Sequence, residues 1–243
     1  MSVEQEPCPS ESCLLVPVPE AEPAVGRLRG RLDRAAAWGV PAHVTILYPF
    51  VLPDAITSEV IDLAAAAIAS VPAFECTFAR TNWFGEEVLW LPPEPDRPFR
   101  ALTTALHAAF PQCPPFGGIY PDVVPHLTIG DRPPGGPAML KTAEADVWPA
   151  LPVRTFVSRV WLMTGTQAAT SWQVATEFPL GAGDEARRTR LTCEVIAGPV
   201  EAAHRGSGTS PAEQTLENHA CLCRRPHAPG RDGPADRGVP GTN

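Results

Sequence analysis

Apolar and polar positions along this chain follow two rhythms. Stretches with a period near two, CLLVPV (13–18), AHVTILY (42–48), AFECTFARTN (73–82), EEVLWL (86–91), VVPHLTIG (123–130), 152–164 and 170–178, predict strands, because successive side chains of a strand face opposite sides. Between them, apolar spacings of three and four predict helices over 20–33, 56–70, 97–109 and 138–148. Thr57 or Ser58 is placed to cap the second helix, and Asp96, ahead of Arg97-Pro98, to cap the third.

The order of elements repeats. Leu14–Val18 leads through Pro19-Glu20 into a helix and then the strand with His43; Leu89–Leu91 leads through Pro92-Pro93-Glu94 into a helix and then the strand with His126. Each histidine strand is followed by a helix and a proline-marked strand start, at Val71-Pro72 and Leu151-Pro152. The histidines lie 83 residues apart and those prolines 80, and near-equal lags across several elements predict an internal duplication. The fold class expected is α+β, two similar lobes, each an antiparallel sheet with helices on its outer face.

Composition then sets the limits of the folded unit. Beyond Gly181 the chain is rich in Gly, Pro and Arg and too poor in apolar residues to offset its chain entropy. The expected division is a flexible segment 1–12, one folded domain 13–180 and a disordered tail 181–243. No run of 18 apolar residues exists, and MSVEQEPCPSES lacks the order of a signal peptide, so the expectation is a monomer in the cytoplasm with no membrane partner. Seven scattered cysteines suit reduced thiols better than a disulfide framework. Cys221 and Cys223, near His219 and His227, have no apolar pattern to hold them as a metal site.

Charge narrows the partner. The whole chain is −8, and residues 1–180 carry 19 acidic against 11 basic side chains. Such a domain has no electrostatic hold on a long duplex nucleic acid, so any such substrate is a terminus or a small nucleotide.

Two segments carry candidate chemistry: Pro41-Ala42-His43-Val44-Thr45-Ile46 and Val124-Pro125-His126-Leu127-Thr128-Ile129. On a strand, His43 and Thr45 share one face while Val44 and Ile46 share the other, and His126 and Thr128 do the same. Two polar pairs backed by apolar ones suit two strands lining one cleft. Cleaving a phosphodiester requires one proton removed from the attacking oxygen and one given to the leaving oxygen. Two imidazoles near their ordinary pKa of about 6.5 supply both at pH 7. Threonine hydroxyls can donate to the non-bridging oxygens. No HExxH run or carboxylate cluster accompanies either histidine, so no metal and no cofactor is expected.

The pair HVTI and HLTI resembles the signature of the 2H phosphoesterase superfamily, in particular its 2′-5′ RNA ligase and RNA 2′,3′-cyclic phosphodiesterase branch, across about residues 13–180. The resemblance implies a bilobal fold with a central cleft, His43 and His126 as catalytic acid and base, and Thr45 and Thr128 holding the phosphate. It implies a 2′,3′-cyclic phosphate or a 2′-5′ linkage at an RNA or nucleotide end, hydrolysed or reversibly ligated without metal. The alternative is a catalytically silent nucleotide- or RNA-end-binding module of the same fold. Arg132 follows the second motif at matching parity and is a candidate phosphate contact. Phe116 and Tyr120, in the Gly-Pro-rich loop 113–124, are candidates for stacking on a base. Tyr48 alternates onto the core side and is expected to pack there.

Overall fold

In a computed structural model describing residues 9–182, the first half of the chain runs β1 (Glu11–Pro17), α1 (Glu22–Leu32), α2 (Arg34–Ala37), β2 (His43–Leu47), α3 (Ser58–Ala69) and β3 (Phe74–Phe78). A linking strand β4 (Asn82–Phe84) leads to β5 (Val88–Leu91) and the two-residue β6 (Pro93–Glu94). The second half continues with α4 (Arg97–Ala109), β7 (Leu127–Asp131), α5 (Pro137–Val147) and β8 (Val153–Val157), and β9 (Arg159–Gly165) and β10 (Gln173–Pro179) follow. The tail, including the Cys221 and Cys223 cluster, lies outside the described residues, as do residues 1–8. Among the described residues no helix is long and apolar enough to cross a membrane.

Every named strand pair is antiparallel, in sheets ordered β10-β9-β1-β2, β4-β5-β7 and β6-β3-β8. The duplication is visible in the pairing: β1 with β2 in one half matches β5 with β7 in the other, and β3 pairs with β8 across the halves. Each half then lends a strand to its twin. After β3 the chain crosses to place β4 beside β5, and after β8 it crosses to place β9 beside β1. This exchange breaks two expected strands. The run 73–82 is interrupted before β4, and 152–164 at Ser158, because a continuous apolar pattern does not signal a change of sheet. The fold is the expected α+β duplication of antiparallel sheets backed by helices.

One continuous core underlies both histidine strands. It joins Val44 and Ile46 of β2 and Leu127 and Ile129 of β7, all at most 1% exposed, to Leu28 of α1, Leu102 of α4 and Leu140 of α5. Each such side chain contributes about 1.5–3 kcal/mol on burial. Gly130 marks the closest approach: a Cβ there would lie 2.6 Å from Leu140 Cδ2 and 2.9 Å from Leu32 Cβ. Thr57 caps α3 by accepting the Val60 N–H. Asp96 does not cap α4, since its backbone is already helical and its carboxylate instead accepts from Arg100 Nε at 2.7 Å. β1 starts at Glu11, two residues ahead of the strand expected at 13–18, and Gly181 is tied to Val71 and Ala73 by backbone hydrogen bonds.

Candidate active site

The two histidines reach one cleft by the same local construction. His43 opens β2 and His126 immediately precedes β7, and these strands meet edge to edge without hydrogen-bonding, so each half presents its own histidine face. His43 Nδ1 donates to the Pro41 carbonyl at 2.8 Å, and His126 Nδ1 donates to the Val124 carbonyl at 2.7 Å. A carbonyl can only accept, so the bond fixes the proton on Nδ1 and leaves Nε2 of each neutral ring as the proton acceptor. Both rings, with Thr45 and Thr128, line a cleft of about 480 Å³. All four side chains are half-buried, and neither threonine hydroxyl bonds to another described residue.

Past the threonines, matching irregularities re-aim the chain. β1 pairs Leu15 with Thr45 but Leu14 with Leu47, so Ile46 and Leu47 together form a bulge. β5 likewise pairs Trp90 with Thr128 but Leu89 with Gly130. An extra residue reverses the alternation beyond it. Tyr48 therefore turns to the cleft, where its hydroxyl donates to Glu11 Oε2 at 2.7 Å, instead of packing in the core as expected. By the same shift Asp131, 83 residues on, takes the cleft position that unbroken parity would have given to a neighbour. Arg132 sits at the rim with φ of 44°, its guanidinium held by Glu87 at 2.9 Å and Asp131 at 3.0 Å. Phe116 and Tyr120 also border the cleft, ring centroids 5.9 Å apart, and the Phe116 N–H donates to the Tyr48 carbonyl to pin their loop to β2.

The surroundings of the two rings differ. His126 meets Phe84 edge-on at 5.0 Å and Trp90 at 5.7 Å, while Phe84 stacks on Trp90 at 4.6 Å. Under His43 lies Arg29, 2% exposed, which donates to Asp33 Oδ2 at 2.8 and 3.1 Å and to the Val40 carbonyl at 3.3 Å. Burial, and then the Arg29 charge, pull the His43 imidazole down to about 3. Burial also lowers His126, but the Val124 hydrogen bond and the carboxylates Asp131 and Asp33 push it back up. The sequence expectation of two rings at ordinary pKa is thus corrected: both are depressed, because a shielded cleft disfavours the imidazolium. Asp33, Asp131 and Phe84 join the cleft without belonging to either His-x-Thr motif. For Asp131 a signal existed, its equal offset from His126 to that of Tyr48 from His43; for Arg29 and Asp33 the i, i+4 pairing alone carries none.

Among the described residues no group of three or more His, Cys, Asp or Glu is placed to hold a metal ion. Solved structures to which the chain is similar include the E. coli LigT protein in complex with NADP+, 16% identical, with 73% of this chain covering 99% of that one at a TM-score of 0.45. Its apo form is 15% identical, covers 71% and 98% of the two chains and scores 0.47. The TT0787 protein of Thermus thermophilus is 17% identical, covers 71% and 98%, and scores 0.46. No curated protein matches the chain in sequence. Residues 17–168 match the family model described as the 2′-5′ RNA ligase superfamily, a span containing both histidine motifs.

Proposed function

This chain belongs to the 2′-5′ RNA ligase superfamily, and from that we propose that it hydrolyses, or reversibly forms, a phosphodiester at an RNA or nucleotide end by paired histidine chemistry without a metal. Membership supports phosphoesterase-type activity on such ends. The observation that carries the finer reading is the matched pair of imidazoles in one cleft, each with Nδ1 tied to the carbonyl two residues back.

On a 2′,3′-cyclic phosphate the steps follow from the two environments. Thr45 and Thr128 donate to the non-bridging oxygens, where charge grows in the transition state. His43, kept neutral by burial and Arg29, takes the proton of the attacking water at Nε2. His126, with Asp131 and Asp33 favouring its charged form, gives a proton to the departing ribose oxygen. One P–O bond forms and one breaks, leaving a phosphomonoester and a free hydroxyl. Burial disfavours the charged form of both rings, and the substrate anion raises His126, as an opposite charge within about 4–6 Å does. Binding should therefore take up a proton. Turnover of 2′,3′-cyclic nucleotides in EDTA by the purified full chain tests the reading, and wild-type protein inert on that panel would sink it.

A further inference from the structure

Both histidines owe their orientation to a backbone carbonyl, and the fold holds each of those carbonyls from behind. The Pro41 carbonyl that accepts from His43 Nδ1 shares one planar trans peptide with the Ala42 N–H, so the two groups point in opposite directions. That N–H donates to Glu22 Oε1 of α1 at 2.6 Å. A carboxylate at this distance makes a charge-assisted bond, which fixes the peptide plane and strengthens its carbonyl as an acceptor. Room for the carboxylate comes from Gly26, one helical turn on, where a Cβ would lie 2.5 Å from Glu22 Oε2. Glycine inside a helix costs about 0.5–1 kcal/mol relative to alanine, and this seat gives it a reason. Arg29 adds a second hold, donating to the Val40 carbonyl at 3.3 Å. The second half repeats the device with other residues. His126 rests on the Val124 carbonyl, but the next residue is Pro125, which has no N–H to grasp. The hold therefore comes one peptide earlier. Arg100 of α4, the counterpart of α1, donates to the Val123 carbonyl at 2.8 Å, three residues ahead of His126 as Val40 is of His43. Its guanidinium is set by Asp96 at 2.7 Å and Asp122 at 2.8 Å.

From this we propose that Glu22 and Arg100 are positioning residues: each holds the backbone that keeps its histidine protonated on Nδ1, leaving Nε2 free to face the substrate. The assignment rests on the proposed histidine chemistry and adds what keeps the two rings in their working tautomer. Neither side chain lines the cleft, so each reaches the reaction only through its histidine. Their side chains are 40% and 38% exposed, too open to be explained as core packing. Once released, the peptide ahead of the histidine can turn, and Nδ1 loses its acceptor. The Nδ1 proton then passes to water while Nε2 takes one from it, which leaves the ring's composition unchanged. A neutral ring in that form has no acceptor facing the cleft.

Nitrogen-15 NMR of the full chain at pH 8, above the ordinary imidazole value of about 6.5, reads the tautomer of each ring. Wild type should show Nδ1–H at both His43 and His126. Glu22→Ala should bring in the Nε2–H form at His43 alone, and Arg100→Met at His126 alone. Glu22→Gln keeps an acceptor oxygen and Arg100→Lys keeps a cationic donor, so each should restore most of the Nδ1–H form. On 2′,3′-cyclic AMP in EDTA, Glu22→Ala and Arg100→Met should each lower kcat about 2- to 10-fold, the size of one hydrogen bond, with KM held. An unshifted tautomer in either variant, or a lowered melting temperature as its only effect, would overturn the assignment. So would wild-type rings protonated on Nε2. Wild type inert on cyclic AMP would instead overturn the histidine chemistry, and the NMR spectra would still decide the positioning.

Discussion

At the scale of single residues, the two imidazoles are alike in hydrogen bonding and unlike in charge. Each uses Nδ1 on a carbonyl two residues back, so each offers Nε2, but one ring sits over a buried guanidinium and the other near two carboxylates. The first prediction concerns their titration. In the free protein, NMR should find both rings neutral at pH 7, with His43 the lower of the two. A phosphate-containing ligand should raise His126, and calorimetry in buffers of different ionisation enthalpy should record uptake of about one proton per site. A second prediction separates binding from proton transfer. Thr45→Val and Thr128→Val should each slow turnover less than either histidine replacement, since each removes one hydrogen bond to developing charge; steady-state kinetics on a cyclic nucleotide reads this out. The pH profile should also split. The acid limb of kcat/KM reports free His43 and should lie near pH 3, well under the ordinary imidazole value, whereas the basic limb of kcat reports His126 in the complex.

At the scale of elements, the bulges decide what faces the substrate. Each inserts one residue after the threonine, and in β7 the next residue, Gly130, lets Leu32 of α1 and Leu140 of α5 approach the strand. Gly130→Ala should destabilise the fold by about 1–3 kcal/mol through overpacking against Leu32 and Leu140, measured as a shift in the denaturant midpoint. Much of this level was legible beforehand. The two His-x-Thr strands, the α4 limits and the doubled order follow from periodicity, because a buried face on one side of a strand imposes strict alternation. The alternation failed where register shifts. Unbroken alternation puts Tyr48 in the core and Asp131 off the cleft face, since a bulge adds one residue and leaves no mark in residue type. The crossings at Ser158 and before β4 were hidden for a related reason: strand-forming residues continue across a change of partner. Asp96 has the residue type of a cap, yet tertiary pairing with Arg100, which also grips Asp122 and the Val123 carbonyl, claims its carboxylate.

At the scale of the whole molecule, the exchange of strands between halves makes the cleft a product of the complete fold. It also couples stability to the same histidines. The unfolded His43 has a pKa of about 6.5 and the folded one about 3, so below pH 6.5 the unfolded chain binds the extra proton. Stability present above pH 6.5 should decline as pH falls and stop declining on this account near pH 3, and His43→Gln should flatten that part of a denaturation series. The central claim is that one histidine from each half acts on a single phosphodiester. The most direct measurement is kcat/KM on 2′,3′-cyclic AMP in EDTA for wild type, His43→Ala, His126→Ala and the double variant. Each single change should cost about 10²–10⁴-fold with the circular dichroism unchanged, and the double variant should lose much less than the product of the two. Near-normal turnover in either single variant, or wild-type turnover that vanishes in chelator and returns with metal, would contradict the account.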